Sequence, residues 1–284
     1  MGIADTIKVI VKNVGLKTQY QRKVFLSIRG ANFFNDSLVI DSIKPHQELF
    51  VNFVNHIPDT TGKETITITL GNDNDTSDNI GVFERNVNYN VYSHVAPYKS
   101  MSPGGIGFGG TTGDFVARFF TDSARYINQM NVEFGFGGRP FQFGIWDASG
   151  PGGTPGKNIF TSDTLTAAPG NVILPVLPRV KVEKTFFAGI RQVGTNNIGF
   201  AYQLEEPIRP GVFYFTAPLG DTNWTSFSPG YDFNFNVQPR LQVGDDISAW
   251  VINKPADRDT FDYNVRDTIT PQATFINYGF NDQN

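Results

Sequence analysis

Between Thr6 and Val91 apolar and polar residues alternate in short runs cut by turn-forming residues, and no run repeats at the 3.6-residue spacing of a helix. TIKVIVK (Thr6 to Lys12) alternates β-branched with polar residues and stops at Asn13-Val14-Gly15. KVFLSI (Lys23 to Ile28) stops at Arg29-Gly30, and the run from Ser37 to Ile43 stops at Lys44-Pro45. ELFVNFV (Glu48 to Val54) precedes Pro58, ETITITL (Glu64 to Leu70) keeps a strict period of two, and a last run spans Gly81 to Val91. Six strands separated by turn signals predict an immunoglobulin-like sandwich over residues 1–95.

A boundary follows. Tyr92 to Gly113 holds Pro97, Pro103 and the glycine-rich PGGIGFGGTTG, in which Phe108 argues for a docked arm rather than a free linker. Strands are then predicted at Phe115 to Phe120, Ile127 to Phe136, Phe141 to Trp146 and Asn158 to Phe160, as a proline-guarded pair near Val172 to Val182, and at Thr185 to Val193. Further ones fall at Phe200 to Leu204, Val212 to Thr216, Asn223 to Phe227 and Asp232 to Val237. About ten strands in this length fit a larger, jelly-roll-like β-sandwich over 96–242. Pro175 and Pro178 belong at strand ends or edges, because proline cannot donate to a ladder.

Within this region FQFGIWDASGPGGTPG (Phe141 to Gly156) changes character midway. Phe141, Phe143 and Ile145 alternate as a strand, and then Gly and Pro fill six of the last seven positions. Regular structure cannot pass through such a run, so it reads as a shaped loop on a β scaffold.

The segment 243–284 is too short for a sandwich of its own. Its end repeats the beginning of the chain. VIVKNVGLKTQ (Val9 to Gln19) laid over ATFINYGFNDQ (Ala273 to Gln283) matches Asn13 with Asn277, Gly15 with Gly279 and Gln19 with Gln283, all at an offset of 264. Both copies are an alternating strand followed by an Asn-x-Gly turn. The tail therefore reads as the opening strands of another immunoglobulin-like module, with the N-terminal module short of its leading strand. The chain is expected to be one period of a longer array, or a subunit that completes its neighbour, unless its boundaries are arbitrary. Its partners would then be neighbouring repeats or other copies of itself, with Thr274, Phe275 and Ile276 meeting the strand of Val9 and Val11. The fold class expected is all-β throughout.

Composition agrees: 26 Phe, 10 Tyr, 29 Gly and 17 Pro against 18% charged residues are aromatic strands cut by turns. A net charge of −4 and the lack of a basic patch argue against a nucleic-acid partner. There is no cysteine, which removes disulfides, thiolate metal sites and a Cys nucleophile. No stretch approaches the length of a membrane-spanning helix.

Catalytic chemistry finds little to stand on. His46, His56 and His94 lack HxH or HxxxH spacing, and no GxSxG or P-loop is present. Glu205-Glu206 and Asp245-Asp246 are adjacent, so on a strand each pair would point to opposite faces. The expectation is a protein that is not an enzyme. Two binding readings stay open beside plain structural ones. Asp73, Asp75 and Asp78 in GNDNDTSDN offer hard oxygens for Ca2+, though Asn and Asp also gather in loops as Asx-turns. Trp146 and Trp224 would stack on a surface glycan with Asp147 accepting hydroxyl hydrogen bonds, or else Trp146 closes the core beneath its loop.

Two resemblances add to this. IKVIVKNVG, KVFLSI, ELFVNFV and ETITITL before GNDNDTSDN resemble the CARDB group of immunoglobulin-like modules of bacterial and archaeal cell-surface proteins, across Ala4 to Val91. FGIWDASGPGGTPGK, TFFAGIRQVG, DTNWTSF and FNFNVQP resemble accessory sandwich domains of large secreted Bacteroidota proteins, including type IX secretion cargo. Together they imply a non-catalytic structural or adhesive segment that is extracellular or on the cell surface, with a carbohydrate-binding accessory module as the alternative.

Overall fold

The computed structural model describes residues 7–71, 76–97, 99–206, 208–242, 247–254 and 272–277. The described residues form an all-β sandwich fold of twenty strands, with one short 3-10 turn at Pro151–Gly153. The chain divides into two compact units, Met1–Tyr89 with Val95–Ser100, and Asn90–His94 with Met101–Asn284.

In the first unit β1 (Lys8–Lys12) pairs antiparallel with β4 (Glu48–Asn52). Facing them is a four-stranded sheet of β2 (Gln19–Gly30), β3 (Phe34–Ile43), β5 (Gly62–Leu70) and β6 (Ile80–Val87), in the order β3-β2-β5-β6. Each strand contains or overlaps a run predicted from alternation, because the apolar half of each run is what the core buries. Val11, Val24, Leu26, Ile28, Ile40, Val51, Phe53 and Ile66 meet between the sheets. The Asn-x-Gly signal has a mechanism here. Asn13 is buried, its Oδ1 accepts the Gly15 N–H at 3.0 Å, and its Nδ2 donates to the carbonyls of Lys17 (2.9 Å) and Ile43 (3.0 Å). The amide thus ends β1 and ties it to the facing sheet.

A polar knot sits in the same unit. The Glu64 carboxylate is 0% exposed and accepts from Asn32 Nδ2 at 2.6 Å and Arg85 Nε at 2.6 Å, with His56 Nε2 3.7 Å away. Asn32 Oδ1 in turn accepts the N–H groups of Asp59 and Thr60, each at 3.0 Å. Burying a carboxylate is costly unless partners such as these satisfy its oxygens.

The second unit sets β10 (Asn158–Thr161), β9 (Pro140–Asp147), β13 (Thr185–Gln192), β7 (Gly113–Phe120), β15 (Phe213–Thr216) and β16 (Thr225–Ser226) side by side, with β11 (Leu165–Thr166) also on β9. Opposite lie β12 (Gly170–Val182), β8 (Arg125–Phe134) and β18 (Val237–Leu241), and a smaller sheet pairs β14 (Tyr202–Leu204) with β17 (Phe233–Phe235). One aromatic core fills the space between, including Phe115, Phe134, Phe141, Phe143, Phe186, Phe200, Phe213 and Phe235. The pair of strands expected near Val172 to Val182 is one strand, β12: both prolines lie in it at the sheet edge, and they interrupt its ladder to β8 between Pro175 and Val180 without ending the strand.

The glycine-rich arm is docked within this unit. Phe108 stacks on Phe115 with ring centroids 4.4 Å apart. Buried Gln192 holds the arm by its amide: Oε1 accepts the Phe108 N–H at 2.9 Å, and Nε2 donates to the carbonyls of Phe108 (3.0 Å), Thr111 (3.2 Å) and Gly194 (2.9 Å). Segment 90–94 is held similarly. His94 stacks on Phe119 at 4.8 Å, its Nε2 donates to the Arg118 carbonyl at 2.7 Å, and its Nδ1 accepts from Arg209 at 3.2 Å. Burial and the adjacent Arg209 guanidinium push this imidazole down to about 3, so it is neutral.

The last segment contributes β19 (Ile247–Lys254) and β20 (Gln272–Asn277), which form a two-stranded antiparallel sheet.

Candidate functional site

The seven-stranded sheet has a second apolar face. Along β9, β13, β7 and β15 every other side chain enters the main core, and the residues between them point the other way. Trp146, Phe187, Val116 and Tyr214 are such residues, and they gather into a separate buried cluster with Ala148 and Trp224 against it. Phe187 meets Tyr214 edge-on at 5.5 Å, and Trp146 meets Trp224 edge-on at 5.7 Å. Trp146 is 3% exposed, so it lies outside the main core yet is not open to solvent, while Trp224 is half-buried.

Charge borders the cluster. Asp114 is buried and accepts from Arg191 Nε at 2.9 Å, directly across the β7–β13 ladder. Burial pushes the Asp114 carboxyl up to about 6, against the lowering pull of Arg191. The same guanidinium donates to Thr161 Oγ1 at 3.1 Å and lies 5.9 Å from the Trp146 ring. Its position on β13 shows in the sequence only as the polar member of an alternating strand, and sequence reasoning did not single out either Asp114 or Arg191.

Asp147 organises the loop that follows. Its Oδ1 accepts from the Ser149 N–H (3.1 Å), the Ser149 hydroxyl (2.5 Å) and the Lys157 N–H (2.8 Å), while its carbonyl accepts the Gly156 N–H at 2.9 Å. Partial burial works to raise this carboxyl, but the Ser149 and Lys157 hydrogen bonds outweigh it and hold the group below the ordinary carboxylate value. The run ASGPGGTPG is therefore closed on itself by the residue that precedes it.

The structure thus brings Trp146 and Trp224 together and turns Asp147 Oδ1 into the loop. Among the calcium candidates Asp73 and Asp75 lie outside the described residues, and Asp78 is exposed. Among the described residues no group of three or more His, Asp or Glu side chains is placed to hold a metal ion. Among them also, no helix is long and apolar enough to cross a membrane. Val9 and Val11 face Val51 and Leu49 of β4, and Thr274, Phe275 and Ile276 lie on β20 opposite β19.

The fold and the face define an all-β sandwich protein with an aromatic cluster outside its main core. No protein-family model matches the chain, and no curated protein matches it. Among solved structures it aligns with the clostridial cysteine protease Cwp84 after propeptide cleavage, at 10% identity and a TM-score of 0.38, over 78% of this chain and 66% of that one. The chain therefore spans just under two thirds of that structure, and a likeness this distant carries no argument about it.

Proposed function

We propose that this chain is a non-catalytic structural and adhesive segment of a large secreted or cell-surface bacterial protein, one period of a tandem array or filament. The observation that carries the reading is how the shaped loop spends its polar groups. The Asp147 oxygen that would receive a ligand hydroxyl accepts three hydrogen bonds from its own loop, and Trp146 is covered. Two successive sandwiches, each with its own core, suit a spacer, because each resists deformation without help from its neighbour. The resemblances to CARDB modules and to secreted Bacteroidota sandwich domains support the same reading, an extracellular location included. The partners are neighbouring repeats or other copies.

Half-buried Trp224 against Trp146 favours one second reading, a carbohydrate-binding accessory module. Affinity electrophoresis and a glycan array decide between them, using wild type and Trp224→Ala. The spacer reading expects neither to be retarded or captured. Capture of wild type that is lost in Trp224→Ala would replace it with glycan binding.

A further inference from the structure

We infer that the outer edge of β1 is a strand-acceptor site, and that its occupant is β19 of a second copy of this chain. The inference rests on the array reading above and names the segment that would join its members.

The edge is defined by the ladder. Beyond the five register pairs of β1 and β4, Phe53 N–H donates to the Ile7 carbonyl and Asn13 N–H to the Gln47 carbonyl, both at 3.0 Å. Ile7 and Asn13 are therefore hydrogen-bonded positions. In an antiparallel pair these alternate, so the odd residues of β1 face β4 and the N–H and C=O groups of Lys8, Ile10 and Lys12 face the other way. Among the described residues no strand pairs with that side.

Apolar surface lies uncovered nearby. Two strands face four in this sandwich. The Val54 N–H bonds the Asp36 carboxylate on β3 at 3.1 Å, and the end of β1 reaches β3 through Asn13 and Ile43, so both strands of the smaller sheet are tied to the β3 side of the larger one. On the larger sheet Phe83 pairs with core residue Ile66 and so shares its face, yet Phe83 is 55% exposed. A strand added to β1 would widen the smaller sheet over this face, and natural sheets seldom leave such an edge and such a face open together.

The repeat at the chain ends identifies the strand. Thr274 and Phe275 of β20 correspond to Ile10 and Val11 of β1 at the 264-residue offset, and both strands run into the same Asn-x-Gly sequence. In the chain itself β20 has a partner, β19, with Ala249 opposite Phe275, Val251 opposite Thr274 and Ile252 opposite Ala273. Transferred to β1, the same register sets Ala249 opposite Val11, Val251 opposite Ile10 and Ile252 opposite Val9. The exchange is favourable in direction because, among the described residues, β19 and β20 form a two-stranded sheet, marginal by itself, whereas β1 belongs to a sandwich with a core. Donor and acceptor are different segments, so the contact is heterologous and builds open chains unless its rotation closes a ring.

Two proline variants separate the parts. Ile10→Pro removes an outward N–H from the acceptor edge and leaves the β4 ladder intact, and Val251→Pro disables the donor. In light scattering the wild type is expected to grow beyond monomer with concentration, and each variant alone to stay monomeric. Mixed, they should form a one-to-one heterodimer, since each retains what the other lacks. The register is read independently in a chain without native cysteine. Val9→Cys with Ile252→Cys should give disulfide-linked oligomers under mild oxidation, because Val9 is a non-hydrogen-bonded position towards the new strand, where Cα atoms approach closely enough. Ile10→Cys with Ile252→Cys should not. A wild type that stays monomeric at every concentration, or a variant mixture without heterodimer, overturns strand exchange but leaves the spacer reading standing. Glycan capture overturns the spacer reading whatever the oligomeric state.

Discussion

The indole of Trp146 lies across the Cα of Gly144, two residues back on the same face of β9. A Cβ at Gly144 would fall 2.1 Å from Trp146 Cη2. Gly189 sits directly opposite Gly144 on β13, and a Cβ there would meet the Phe115 carbonyl oxygen at 1.9 Å. The missing Cβ at Gly144 thus leaves a trough that the indole fills, with Trp146 3% exposed outside the main core, while Gly189 lets the β7 backbone approach closely.

Gly144→Val should lift the indole out of this trough. Overpacking of this kind costs about 1–3 kcal/mol. The near-ultraviolet circular dichroism of the Trp146 and Trp224 pair should change with it, and Trp224→Phe should change the same band with a smaller loss of stability. A Gly144→Val protein with wild-type melting and spectrum would show that the ring does not depend on the glycine.

Asp147→Ala removes an acceptor of three loop hydrogen bonds. The loss is local, about 1–2 kcal/mol for partly exposed bonds. Limited proteolysis should then cut between residues 148 and 157 at enzyme levels that leave wild type intact. Asp147→Asn, which keeps an acceptor oxygen without the charge, should be intermediate.

Acid should act on two groups in opposite directions. His94 is held at about 3, below its ordinary 6.5, so the unfolded chain binds its proton first, and stability present above 6.5 is lost as pH falls towards 3. Asp114 is raised from 3.8 to about 6, so the folded state binds its proton first, and stability is gained as pH falls from about 6 towards 3.8. Asp114→Asn removes the gain and should steepen the acid-side loss between these values by about 1.4 kcal/mol per pH unit. Denaturant midpoints of the two proteins at a series of pH values measure the difference, and parallel curves would contradict it.

Glu64→Ala takes the buried carboxylate away from Arg85 and Asn32, a change of about 3–5 kcal/mol for a broken buried pair. All three tryptophans, Trp146, Trp224 and Trp250, lie in the second unit. Unfolding followed by far-ultraviolet circular dichroism should therefore begin at lower denaturant in the variant, while the tryptophan fluorescence transition stays in place. A joint shift of both signals would mean that the units unfold as one.

The sequence alone determined the all-β class and nearly every strand, because a period of two between turn residues has no stable outcome except a strand with one face buried. ETITITL and the alternating Phe141, Phe143 and Ile145 were legible for that reason, and Asn13 was legible as a turn because its Oδ1 accepts the N–H of Gly15, two residues on. The pairing of Trp146 with Trp224, across 78 residues, was not. Alternation tells that Trp146 lies opposite Phe143 and Ile145, but not that a second apolar cluster waits on that side. The same limit hid Asp114 and Arg191, polar members of two strands whose adjacency exists only once β7 and β13 pair. Only the tertiary structure decided that Asp147 bonds its own loop, and that the edge of β1 turned away from β4, without a partner strand among the described residues, carries Lys8, Ile10 and Lys12 rather than Val9 and Val11. Side-chain alternation is written along the chain, whereas the direction of each N–H is set by the strand that happens to lie beside it.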